Sequence, residues 1–210
     1  MSEDLFDLVV SDKENEFVNK VSRLELDIIS DILEELKGVR FIGSLIKIGR
    51  IGANYLDLHF VRKIARFLKQ SEDIPIEIKE TFLDKLNKKQ RQKLYEHLVH
   101  FLYVAESDDK ADIMGILYRE RVLGQIDDNL FLRLCAVVNN SYVEDLKQLG
   151  QYKEPTQTLD YVGDNLSSCG LISTYMDNRF SNGKLALLTS RKLNDIGEKL
   201  HDILFKSQWL

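Results

Sequence analysis

Apolar residues recur at helical spacing along most of the chain. Phe17, Val21, Leu24, Ile28, Ile32 and Leu36 form the first stripe, three or four residues apart, as one face of an α-helix requires. Ser11 and Glu14 precede it as an S-x-x-E capping box, each side chain taking the other residue's free backbone N–H, and Gly38 ends it. From Gly38 to Leu68, Ile42, Ile46, Gly49, Ala53 and Leu56 share one face, extended by Phe60, Ile64 and Phe67 past a break near Asn54. That spacing predicts one long helix or two short ones, with the small residues letting another helix approach closely.

Four more helices follow with short connections. Pro75 opens a short one ending at Leu86, since proline suits a first helical turn. The turn Asn87 to Lys89 leads into an apolar helix through Leu94, Leu98, Phe101 and Leu102. The acidic stretch Glu106 to Asp109 opens the next, with Ile113, Ile116, Leu117 and Val122 inward and Gly124 as its stop. Asp127 caps a helix through Leu130, Leu132, Leu134, Val138 and Tyr142 to about Leu149, ended by Gly150. Short loops make such helices antiparallel neighbours.

The pattern changes at Gln151 to Thr156, the best candidate for a linker. Beyond it the sequence predicts a helix from Gln157 to Ser168, a strand Leu171 to Tyr175, a turn containing Asn182-Gly183, a strand Leu185 to Thr189 and a helix from Lys192 to Phe205. Asn-Gly between apolar runs signals a hairpin because both residues tolerate positive φ. The expected fold class is mainly α: a multi-helix bundle over 1–150, then a small helix, β-hairpin, helix unit over 151–210.

LSSCGLIST, the Asn-Gly hairpin and LALLTSRKLNDIGEKLHDIL together resemble the ending of many bacterial winged-helix proteins. The resemblance covers about the last fifty residues. It implies a winged-helix-like unit and the transcriptional-regulator function that goes with one. The whole chain also resembles uncharacterised bacterial helical proteins linked to mobile elements or phage defence, which implies a role in bacterial defence.

Charge sharpens the picture in one place. The net charge is −5, yet between Gly38 and Leu68 the single carboxylate Asp57 faces Arg40, Lys47, Arg50, Arg62, Lys63 and Arg66. The preceding stretch up to Lys37 is acidic, so the simplest arrangement is an antiparallel helix pair that neutralises itself. Lys47, Arg50, Arg62, Lys63 and Arg66 remain the candidate interaction surface, for a partner protein or for an anionic membrane. The charges exclude a bilayer span here, and the N-terminus lacks the basic, apolar order of a signal peptide. A cytoplasmic location is expected, and it suits Cys135 and Cys169 as buried free thiols.

Other chemistry is thinly represented. A DNA-reading helix needs basic side chains, whereas the helix before Leu171 offers Asp160 and Asp164 and only Arg179 and Lys184 decorate the hairpin. Those two are the candidate nucleic-acid contacts. Gly49 and Gly52 have the spacing of a G-x-x-G backbone-clamping loop but sit in helical periodicity, which favours close packing. His97 and His100 share a helix face without the further ligands a metal needs, and His59 and His201 are isolated. No catalytic residue, cofactor or metal site is predicted. The expected function is a noncatalytic cytosolic interaction or regulatory module acting through protein contacts or self-association. A winged-helix DNA-binding regulator and a peripheral membrane protein are the alternatives.

Overall fold

A computed structural model describes residues 55–157, 160–181 and 184–210. The predicted helix from Ser11 to Gly38, the first part of the basic stretch, Gly49 and Gly52 lie outside these residues. The described part is mainly helical with a small two-stranded antiparallel sheet. By its contacts the chain divides into two compact units, 1–131 and 132–210. The boundary expected at 150/151 falls inside the second.

The first unit contains α1 (Tyr55–Lys69), α2 (Ile76–Asp84), α3 (Lys88–Val104) and α4 (Asp108–Val122). Phe60, Ile64 and Phe67 of α1 are buried as their spacing predicts. The α1 to α4 contact is the most extensive helix pairing described. Gly115 makes it possible: a Cβ there would lie against the Phe67 carbonyl oxygen, inside van der Waals contact. α4 is buried almost all round, with Ala111, Ile113, Met114, Leu117 and Tyr118 inaccessible. Tyr118 touches the rings of Phe67, Phe82 and Phe131.

Local chemistry sets the helix ends. Asn87 and Gln90 form a reciprocal capping box at the start of α3, and Ser107 caps α4 through the Lys110 N–H. Gly124, with φ 73°, ends α4. The N–H groups of Gly124 and Gln125 return to the carbonyls of Arg121 and Glu120, the Schellman arrangement.

The second unit begins within α5 (Asp128–Asn140) and continues through α6 (Val143–Leu146), a 3-10 turn (Leu149–Tyr152), α7 (Tyr161–Ser168), β1 (Ile172–Ser181), β2 (Lys184–Leu193) and α8 (Asp195–Lys206). Asp127 caps α5 as expected, accepting from the Leu130 N–H at 2.8 Å. The single helix expected to reach Leu149 breaks at Ser141. The Ser141 hydroxyl donates to the Val137 carbonyl and Tyr142 turns extended, as poor helix formers in Asn139-Asn140-Ser141 allow.

The stretch 151–156 is structured within this unit. Tyr152 is buried, and Thr156 pairs with Arg191 through both backbone groups, adding one bridge to the outer side of β2. The strands are longer than expected at ten residues each, in a register from Ile172↔Leu193 to Ser181↔Lys184. Asn182 and Gly183, predicted as the hairpin turn, lie outside the described residues. α7 starts at Tyr161 rather than Gln157 because Asp160 is its cap, and α8 starts at Asp195 because Asn194 caps it. Gly197 brings α8 against the Leu171 carbonyl, where a Cβ would not fit.

Replacing Gly115 with alanine forces α4 away from α1. Overpacking of this kind destabilises by about 1–3 kcal/mol, outweighing alanine's better helix propensity of about 1 kcal/mol. Urea denaturation should show a lower midpoint; an unchanged or raised midpoint would contradict the close approach.

Candidate functional site

Of the five basic residues read as an interaction surface, Arg62, Lys63 and Arg66 lie on α1; Lys47 and Arg50 fall outside the described residues. Arg62 pairs with Asp108 at 2.7 Å. Arg66 donates Nε to both Asp112 oxygens at 3.0 Å and pairs its Nη2 with Oδ2. Gln70 adds a bond of 3.1 Å to Asp112 Oδ1, and Asp108 and Asp109 lie 3.7 Å from Arg66. The sequence suggested the acidic N-terminal helix as their counterion. That helix lies outside the described residues; the described partners are carboxylates of the first turns of α4, where negative charge also meets the positive end of the helix.

Lys63 is buried. Its Nζ donates to the carbonyls of Tyr103 and Ala105, at 3.1 and 2.7 Å, closing the end of α3. Burial lowers its ammonium below the ordinary lysine range, with Asp108 pulling the other way. Its role is thus to satisfy helix-end carbonyls that would otherwise lack partners.

A half-open cavity of about 570 Å³ adjoins these groups, with His59, Arg62, Lys63, Tyr103, Glu106 and Asp108 in its wall. His59 Nδ1 accepts from Arg62 at 3.3 Å. The wall thus carries both cations and carboxylates. The wall lacks the one-signed character that draws in polyanions.

The second unit carries a polar cluster that sequence reading missed. Arg191, 6% exposed, donates Nη1 to the Asp160 carbonyl at 2.9 Å and pairs Nη2 with Asp164. Gly163 leaves room for the guanidinium, since a Cβ there would sit 2.6 Å from Nη1. The Tyr152 hydroxyl donates to Asp160 Oδ1 at 2.6 Å, and the Gly163 N–H donates to the same oxygen at 2.7 Å. The Tyr152 hydrogen bond holds Asp160 below the usual carboxylate range against the effect of burial. Asp145 accepts from Asn165 at 2.9 Å. Asp164, read as unsuited to DNA, thus serves as the counterion of Arg191.

Arg179 and Lys184 lie on the outer part of the hairpin, at register positions opposite Ala186 and Ser181. His97 bonds to the Lys93 carbonyl at 2.7 Å, and both His97 and His100 contact the Phe101 ring. His201 is buried, stacked on Phe205 and 3.2 Å from Asp202. Among the described residues no cluster of three or more His, Cys, Asp or Glu could hold a metal. No described helix is long and apolar enough to cross a membrane. Cys135 is buried and its thiol pushed well up by burial. Cys169, expected to be buried, is only half-buried at the end of α7, its thiol donating to the Asn140 carbonyl at 3.2 Å.

Asp112→Asn removes the charge that holds Arg66 to α4. It should lower stability by about 1 kcal/mol, since the pair is partly exposed, with Arg66→Gln giving a similar loss and the double variant less than their sum. Strict additivity in this cycle would show that the two groups do not interact.

Tyr152→Phe tests the second cluster through pH. A carboxyl whose folded value is lowered contributes stability above its ordinary value of 3.8 and loses it as pH falls through the folded value. Denaturation should show the variant less stable by about 1–2 kcal/mol at pH 7, with the gap to the parent closing below about pH 4. A gap independent of pH would assign the loss to packing alone.

Comparison with protein families, with curated proteins and with solved structures finds no match for this chain.

Proposed function

We propose that the chain is a noncatalytic interaction or regulatory module that works through protein contacts, with the β1–β2 hairpin as its contact element. One observation carries this reading. Met176 and Tyr175, large apolar residues partway along β1, are 75% and 40% exposed on a ribbon of only two strands. Exposed Met and Tyr are typical of protein-binding surfaces, where they supply contact area at modest desolvation cost. The basic groups of α1 support it from the other side. Arg62, Lys63 and Arg66 already have carboxylate or carbonyl partners, so a polyanion or an anionic membrane would have to displace them. The bacterial-defence setting implied by resemblance, and a cytoplasmic location, accompany this reading.

A photo-crosslinking amino acid at Met176 should yield discrete protein adducts in cells, whereas the same group at Gln92 on exposed α3 should yield none. Failure of the Met176 probe to give protein adducts would overturn the reading. The DNA alternative would take its place if the purified chain shifted a duplex at low salt and Arg179→Ala with Lys184→Ala abolished the shift.

A further inference from the structure

The β1–β2 hairpin carries one group that can be changed chemically without disturbing the fold. The chain has three methionines. Met114 is wholly inaccessible inside α4 and Met1 lies outside the described residues, whereas Met176 is 75% exposed. Register and alternation explain the difference. Met176 pairs with Thr189, one same-face pair outward from Thr174 and Arg191, since residues two apart on a strand share a face. Arg191 turns its side chain onto α7, reaching the Asp160 carbonyl and the Asp164 carboxylate. The face is therefore covered at Arg191 and open at Met176. The thiols offer less to an oxidant: Cys135 is buried and kept protonated by burial, and Cys169 is half-buried with its thiol donating to the Asn140 carbonyl.

We propose that Met176 is an oxidation site, through which hydrogen peroxide reversibly turns off the protein contact made by the hairpin. The proposal rests on the protein-contact reading above and adds a control to it. The thioether sulfur attacks one oxygen of hydrogen peroxide, so that an S–O bond forms as the O–O bond breaks. The proton of the transferred oxygen passes to the departing hydroxide, which leaves as water. Sulfur loses two electrons and peroxide gains them. The sulfoxide places a strong hydrogen-bond acceptor where a flexible apolar group stood. A partner that had covered the thioether would then have to bury that acceptor without a donor, which is costly. The fold does not register the change, because Met176 is no part of the core. Methionine sulfoxide reductase restores the thioether, two thiols supplying the electrons and the oxygen leaving as water.

The test uses the full chain in a Cys169→Ser background, with a photo-crosslinking amino acid at Tyr175, which is 40% exposed beside Met176. The chain is treated with hydrogen peroxide, freed of it, and illuminated in cell extract. Peptide mass spectrometry should show Met176 sulfoxide forming about tenfold faster than Met114 sulfoxide, with the urea midpoint unchanged. Discrete protein adducts should fall about tenfold, as the loss of one apolar side chain from a buried contact implies. They should return after treatment with the reductase and dithiothreitol, and Met176→Leu should make them insensitive to peroxide. Equal oxidation of the two methionines overturns the proposal. So does a loss of adducts that Met176→Leu does not prevent, or one that comes with a lowered urea midpoint. Adducts that survive full oxidation of Met176 overturn it while the protein-contact reading stands. Absence of adducts at Tyr175 before any oxidant is added removes that reading, and this proposal with it.

Discussion

The close approach of α4 to α1 is the constraint on which the first unit depends. Gly115 removes the side chain that would hold the helices apart, and the proximity this permits has two consequences. The apolar groups of both helices, Phe67, Leu68, Met114 and Tyr118 among them, become inaccessible to water, each large side chain being worth roughly 1.5–3 kcal/mol when fully buried. It also brings Arg66 within reach of both oxygens of Asp112. The ion pair then fixes which turns face each other, a geometric role more than an energetic one, since partly exposed pairs contribute modestly. Lys63 ties the same helix to the end of α3.

The second unit solves the opposite problem. A long ribbon has little core of its own, so its root must be held. Arg191 does this from inside the strand: its backbone engages Thr156, and its side chain crosses Gly163 to reach Asp160 and Asp164 around the start of α7. Asp160 serves at once as helix cap, acceptor of the Tyr152 hydroxyl and neighbour of the guanidinium. One residue therefore aligns the 3-10 turn, α7 and β2.

What the sequence made legible was local. The stripe Phe60, Ile64, Phe67 and the caps at Asp127 and Gly124 all follow from spacing or backbone chemistry within a few residues, and each is found. Contacts between distant residues were not legible. Arg66 meets Asp112 across 46 positions and Arg191 meets Asp164 across 27; a charge pattern shows that partners are needed without saying which. Gly115 sat unremarked inside an apolar helix, where a lone glycine looks like a weakness until the facing carbonyl is known. The break at Ser141 was hidden because Leu134, Val138 and Tyr142 keep helical spacing across it. Polar composition at 151–156 likewise does not reveal that Tyr152 is buried or that Thr156 pairs with Arg191.

These placements bear on how the molecule can recognise anything. The basic residues of α1 that stand out in the sequence are spent on folding, with carboxylates or carbonyls already opposite them. Binding through them would require breaking internal pairs, leaving Asp112 and Asp108 without counterions. The hairpin differs because Met176 of β1 is exposed, so a contact that covers it breaks none of these ion pairs.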